Sequence, residues 1–553
     1  MLQVVWFKRD LRISDHIPLQ RAAALGPLLC LYVIEPMLWQ QTDRSARHAH
    51  FIVQSLLSLH KSLRALGGAL TVVRGDIIDQ LNAIVAIEPF ALHAHEETGS
   101  NWTYARDIAV ARWCRSKSIG FTEYQQFGVV RRLQDRNGWA RQWLRFVQHP
   151  IMDAPPVVTF ARVALDAVAI ATLLTAINNS SERHGNALNA LFYGHLHGIC
   201  IDTLSAFQTG GRKAALDAIG SFLGVRGQRY HRELSSPLTA YESCSRLSTH
   251  LAYGTISMAE TFQASNARRA WLADEAREHA AHPQHPIHAS ATQWTRATVA
   301  FESRLAWHCH FIQKLETEPQ FEFTNMHSAF NGVREPEFNH AYFAAWANGQ
   351  TGYPFIDACM RALQHTGWLN FRMRAMLVSF AAYPLWLHWF EPAQHLARLF
   401  TDYETGIHYA QMQMQSGTTG INTMRVYNPI KQGQEHDPAG IFIRRWVPEL
   451  QDLQGVFIHT PWLAPPMLLL QAGVALGGNY PEPIVDFASA VRTAKARMAA
   501  VHKDAGFGME ADAIQNAHGS RRSGMTASQR GVRGKVKITL PMASEQQLGF
   551  DFG

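Results

Sequence analysis

The stretch QVVWFKRDLRISDHIPLQRAAALGPLLCLYVI (residues 3–34) decides the fold of the first part of the chain. Gln3–Phe7 and Leu28–Ile34 are short apolar runs bounded by charged residues or by Gly26-Pro27, as strands buried inside a sheet are. Leu70–Val73 and Ala91–His93 repeat the pattern. Between them, Phe51–Leu66 sets Ile52, Leu56, Leu59 and Leu63 on one helical face. Alternation of strands and helices over about 130 residues predicts an open, mostly parallel sheet with helices on both faces. This is a Rossmann-like α/β domain over 1–135. Neither GxGxxG nor GxxxxGK followed by Ser or Thr occurs, so two common phosphate-loop signatures are missing.

Composition bounds the rest. The chain has 553 residues, 47% hydrophobic and 17% charged, with a net charge of +7. That is material for two to four domains and excludes disorder throughout. The longest apolar candidate, Val163–Ile177, contains Asp166 and falls short of the ~20 residues a bilayer core needs, so no membrane span is expected. The opening MLQVVWFKRDLR has no apolar signal region, which makes the cytoplasm the default location. The six cysteines (Cys30, Cys114, Cys200, Cys244, Cys309, Cys359) form no CxxC pair, against a disulfide framework, a zinc ribbon or a clustered iron–sulfur site. His279, His282, His285 and His288 recur every third residue, but Pro283 and Pro286 break any helix that would align them. His93, His95, His308 and His310 are likewise unsupported as ligands, and no metal is expected. The mild positive balance permits a nucleic-acid or phosphate partner.

After Ala154-Pro155-Pro156 the alternation stops, and 136–200 reads as a long interdomain connection. From 201 to 497 helix-period segments dominate; Phe301, Leu305, His308, Ile312 and Leu315 form one stripe. The second domain is therefore all-α. The remaining 498–553 is basic and, from Gly506, lacks periodicity, so disorder is expected there. Two segments invite chemistry. In CSRLSTHLAYG (244–254), small hydroxyl residues precede a helix, either as a cap or as part of an anion site. In 399–429, Asp402, Glu404 and His408 sit in a Gly- and Gln-rich stretch that reads as a surface loop or as backbone satisfied by a buried polar cofactor.

Four segments in order, VVWFKRDLRISDHIPL (4–19), YHRELSSPLTAYESCSRLSTHLAYGTIS (230–257), WANGQTGYPFIDACMRALQHTGWLNFRMR (346–374) and NPIKQGQEHDPAGIFIRRWVPEL (428–450), resemble the photolyase/cryptochrome family, and the likeness runs to about Pro465. The resemblance implies an α/β antenna domain, a linker, and a helical domain holding FAD folded into a U. It assigns Tyr230, Ser245, Arg246, Leu247 and Ser248 to the flavin-phosphate cradle, Arg374 and Asp402 to a pair beside the isoalloxazine, and Glu404 to the flavin edge. His308 stands where the family's motif closes beside the cofactor. Trp307 resembles the tryptophan on which a flipped-out pyrimidine dimer stacks. The implied partner is UV-damaged DNA, met by a bacterial, monomeric protein. The implied chemistry is loan of an electron from photoexcited reduced FAD to the lesion.

Departures from the family lie in the active site. Where many dimer-repairing members have a glutamate, this chain has Arg304, a cation suited to a phosphate or an anionic lesion. Asn370, Phe371 and Ala375 replace further contact residues. His408 replaces the common asparagine facing flavin N5, which makes the stable redox state pH-dependent. In the electron relay, Trp389 resembles the middle member, Met412 occupies the flavin-proximal position, and no tryptophan matches the distal one. Trp386 and Trp389, expected one helical turn apart, with Tyr403 or Tyr409 nearer the flavin, offer a substitute route. Some relatives share the YETGIHY and TGINT wording and hold a [4Fe–4S] cluster, but no cysteine follows Cys359 here. The antenna would be folate, deazaflavin or lumazine, with Glu35 either contacting it or lying at a solvent-facing strand end. The ending Gln547–Phe552 resembles peptides that dock on the bacterial sliding clamp. The reading that follows is light-dependent repair of pyrimidine dimers. Its alternatives are a cryptochrome-like blue-light photoreceptor and a DNA-binding flavoprotein without photochemistry.

Overall fold

The computed structural model describes residues 1–156, 158–178, 182–194, 196, 207–503 and 506–519. Five strands, β1 (Leu2–Phe7), β2 (Leu28–Ile34), β3 (Leu70–Arg74), β4 (Phe90–His95) and β5 (Phe121–Tyr124), form one sheet in the order β3-β2-β1-β4-β5. All pairings are parallel, with Val5 beside Cys30 on one side and His93 on the other. Alternate side chains of β1 enter opposite cores. Val5 and Phe7 pack with the helix Ala46–Ala65, while Val4 and Trp6 pack with Ile77–Ile87 and Asn101–Ser116. Burial on both faces explains the unbroken apolar runs. β5 was not foreseen: its FTEY sequence sits at the sheet edge with two exposed residues and carries no such run.

The carboxyl ends of β1 and β4 lie at the point where strand order reverses, where ligand crevices of open α/β sheets form. Here ion pairs occupy that edge. Arg106 bonds Glu35 at 2.7 Å, Glu97 at 3.0 Å and Asp107 at 2.9 Å, and Lys8 pairs with Asp107. Two residues beyond Lys8, the buried Asp10 carboxylate accepts from His16 (2.8 Å) and His95 (2.7 Å). These three could hold a metal ion, a grouping that reading His95 alone did not suggest. Hydrogen bonds already engage them, since the other ring nitrogen of His16, Nδ1, also accepts from the Leu19 N–H.

Helices dominate the second domain. Its spine is the 32-residue helix Pro286–Thr317, started by Pro286 with His285 as N-cap. It packs against Met258–Glu278, whose N-terminus carries a complete Ser257–Glu260 capping box. The linker expectation needs correction: Trp139–Val147 is a helix whose Trp139, Trp143 and Val147 enter the core of the helical domain. Their four-residue spacing is a helical stripe hidden among arginines. The tail expectation also yields in part, because Phe507–His518 is a helix whose Ile514 and His518 are buried. Gln547–Phe552 lie outside the described residues. Among the described residues, no helix is long and apolar enough to cross a membrane.

The domains meet closely at Gly254. Its φ is +64°, and a Cβ there would collide with the Arg9 carbonyl and the Asp10 Cα. Leu11 N donates to Tyr253 O at 3.1 Å, and Arg12 Nη1 to Gly254 O at 3.0 Å. Left-handed backbone alone costs a residue with a Cβ about 1–3 kcal/mol. Gly254→Ala is therefore expected to lower the urea unfolding midpoint, by at least that amount in free energy, with Ser257→Thr at the neighbouring cap as a near-neutral control.

Candidate functional site

One large cavity opens in the helical domain, with about 1530 Å³ between its walls, mouth included. Tyr230, Ser245, Arg246, Leu247, Ser248, Arg304, Trp307, His308, Arg374, Asp402, Glu404 and His408 all line it. The structure thus gathers residues spread over nearly 180 positions of sequence into one wall.

The SRLS segment does not serve as a side-chain cap, because the short helix Ser248–Ala252 has none. Ser245 Oγ instead accepts from Leu247 N at 3.3 Å. Arg246 holds a left-handed φ of +61°. Its guanidinium lies between the rings of Tyr241 (4.2 Å) and Trp368 (4.0 Å). Its Nη1 is buried without a hydrogen-bond partner among the described residues. A strained backbone that delivers an unpaired donor to a cavity is the signature of a ligand contact.

Opposite it stand two buried carboxylates. Asp402 Oδ2 accepts from Arg374 at 2.8 Å, and Arg374 stacks over Phe400 at 4.0 Å. Burial pushes the Asp402 carboxyl up, but Arg374 and the Ser248 hydroxyl outweigh it and hold the group below its ordinary value. Glu404, at the N-cap of the helix Thr405–Ser416, bonds Arg9 of the first domain at 2.6 Å. There burial wins and the carboxyl is raised. Asp402 Oδ1, Glu404 Oε1, Asn370 Oδ1, Gln411 Oε1 and both His308 ring nitrogens are buried and unpartnered among the described residues. Each such group carries a desolvation penalty that a polar ligand would relieve. Donors and acceptors together, beside apolar Phe301, Leu305 and Val378, suit FAD, with its charged phosphates and its flat ring rimmed by carbonyls and N–H groups.

The polar stretch 399–429 is neither of its two expected forms alone. Thr405–Ser416 is a buried helix, and Gln413 satisfies surrounding backbone at Phe321 O, Thr324 O and Met326 N. His408 Nε2 lies 2.9 Å from Ala393 O. A carbonyl only accepts, so Nε2 carries the proton and Nδ1 is left as the acceptor. Burial lowers its pKa to about 4, so the ring is neutral near pH 7.

Trp386 and Trp389 are not among the cavity-lining residues. They do not share a helical turn, because Phe371–Ala382 ends before Pro384 and Trp386 adopts a left-handed φ of +52°. Trp389 is buried and donates to Asn325 Oδ1 at 2.7 Å, its ring 6.0 Å from Tyr409. Tyr409 in turn lies 5.3 Å from His408, and Tyr403 lies 5.2 Å from it on another side. Trp386 is held by Arg334 and Arg497 over its ring. Glu35 is 3% exposed and bound to Arg106, so the solvent-facing alternative fails. Its carboxyl is pushed up to about 7 by burial. Sequence reasoning missed Trp368 and Gln411, which nothing local marks, and Arg9, which acts across domains.

Residues 3–132 match the family model described as DNA photolyase, and 301–500 that described as FAD binding domain of DNA photolyase. The chain is 29% identical to a deoxyribodipyrimidine photo-lyase of Streptomyces griseus over 88% of its own length and 97% of the relative's. It is 28% identical to cryptochrome-2 of Arabidopsis thaliana, over 88% and 77%. The crystal structure of a bacterial class III photolyase from Agrobacterium tumefaciens superposes with a TM-score of 0.72 at 25% identity, covering 91% of this chain and 98% of that one. With both domains matched in order and in fold, the chain belongs to the photolyase/cryptochrome family, and its helical half is that family's FAD-binding domain.

A buried imidazole whose pKa is lowered binds a proton in the unfolded chain before it does in the native one. Stability is then lost as pH falls from about 6.5 towards 4. His408→Gln is expected to shrink that loss by about 1–3 kcal/mol in unfolding measured at pH 7 and pH 4.5. The wild-type ring should show one neutral Nε2–H tautomer from pH 8 to 5.5 in ¹H–¹⁵N spectra.

Proposed function

We propose that this chain is a light-driven DNA repair enzyme that splits UV-induced pyrimidine dimers. The observation that carries the reading is the joint lining of one cavity: unpaired polar groups suited to FAD share it with half-buried Trp307 and Arg304. Reduced FAD, when bound and excited by blue light, supplies one electron that the lesion returns after its ring has opened.

The side chains do the rest. Trp307 offers a flat face on which a flipped base stacks, and damaged pairs are cheaper to open. Arg304, with its guanidinium 5.7 Å from the Phe371 ring, brings a fixed positive charge to that side of the cavity. It would favour the electron-rich lesion or an adjoining phosphate. His408 contributes a neutral acceptor and adds no charge. Phe301, Leu305 and Val378 keep water from the reacting groups. Exposed Arg232 and Arg296, and Arg372 next to the wall residue Phe371, add the phosphate-binding charge that DNA requires.

A cryptochrome-like photoreceptor is the second reading. Arg304, Phe371 and Ala375 at the lesion wall and Met412 in the relay favour it, as do relatives named cryptochromes. Blue-light illumination of the reduced, FAD-loaded protein with oligonucleotides carrying a cyclobutane dimer or a (6-4) photoproduct separates the two. Light-dependent loss of either lesion is expected. Persistence of both, in protein whose flavin responds to light, would leave the receptor reading standing. Trp307→Ala is expected to weaken binding to lesion-bearing DNA about tenfold or more in anisotropy titrations, while affinity for undamaged duplex changes little.

A further inference from the structure

Arg9 lies just past the carboxyl end of β1, in the first domain, yet its guanidinium bonds Glu404 on the cavity wall of the second. Nη1 donates to Glu404 Oε2 at 2.6 Å, and Nη2 to Glu97 Oε1 at 3.0 Å. Its position is fixed twice more. The Arg9 carbonyl accepts from Gln126, and Gly254 is the close neighbour that leaves room for that backbone. Glu97 is held by other partners as well, bonding Arg106 at 3.0 Å and accepting from the Thr98 and Gly99 N–H groups. Glu404 has Arg9 alone as its hydrogen-bonding cation, and its Oε1 is buried without a partner among the described residues.

We infer that Arg9 is a positioning residue for the cofactor site: it clamps Glu404 through Oε2 as a charged acceptor, so that Oε1 is free to receive an N–H of the bound flavin nucleotide. The inference rests on the FAD reading of the cavity and goes beyond it by making a first-domain residue part of the site. Among the groups around Glu404, Arg9 and Arg44 favour its ionised form, Glu97 disfavours it, and the Tyr253 phenol and Cys309 thiol stand near it as neutral groups, while His308 lies near Arg9. Burial alone would drive Glu404 towards the protonated acid, which presents a donor where an acceptor is needed. Without Arg9 the carboxyl would ionise only at higher pH.

The test is the dissociation constant of FAD from the full chain, read by FAD fluorescence between pH 6 and 9. Arg9→Gln is expected to weaken FAD at least tenfold at pH 7 and to recover as pH rises and Glu404 ionises. Glu404→Gln should show a similar loss with no recovery, the double variant no further loss, and Arg9→Lys near wild-type affinity. Additive losses, or an Arg9→Gln profile as flat as that of Glu404→Gln, overturn the inference. Should Arg9→Gln fail to fold, Arg9→Lys decides: a loss as large as that of Glu404→Gln overturns it. A wild-type chain that binds no FAD overturns the functional reading and this one with it. Wild-type binding with indifferent Arg9 variants overturns this one alone.

Discussion

A carboxylate taken out of water needs a cation or a set of hydrogen bonds to hold it, and the cavity of this protein is built on two pairings with arginine. Asp402 has Arg374 from within the helical domain, and Glu404 has Arg9 from the sheet domain. Desolvating one charged group without its partner costs several kcal/mol. The sheet domain, where it joins the helical one, therefore supplies part of what stabilises this wall. The close contact at Gly254, the interdomain hydrogen bonds of Leu11 and Arg12, and the buried Arg12 side chain serve that junction.

The same constraint explains why the wall is polar on one side and apolar on the other. Each carboxylate has one oxygen held by an arginine and one left over, while Phe301, Leu305, Val378 and Phe400 keep the surroundings dry. In such a medium a hydrogen bond to a ligand is worth more than in water, and an unmet one costs more. Histidines in this interior are kept neutral for the same reason; burial draws His308 down to about 3 and His408 to about 4.

Much of the fold could be read from the chain because a parallel sheet covered on both faces demands uninterrupted apolar strands, and β1 and β2 have them. β5 could not, since an edge strand with half its residues in water shows no such run. The helix Trp139–Val147 was hidden because its stripe is three residues wide and set among arginines. In the site, motif order located Tyr230, the SRLS segment, Arg374 and Asp402 on the wall where they stand. Geometry between Trp386 and Trp389 was misjudged because three-residue spacing implies a helical turn only if a helix continues, and Pro384 stops it. Arg9 was illegible for a different reason: nothing in KRDLR says which of its charges crosses to another domain.

Because one of the two cavity carboxylates draws its counter-ion from the sheet, the helical domain is not a self-sufficient module. A chimera that grafted it onto the first domain of a relative would inherit the flavin wall but not its electrostatics, unless the donor also brought a guanidinium to the end of its first strand. Arg9 and Glu404 stand 395 positions apart in sequence, so the two ends of this ion pair come from opposite halves of the chain.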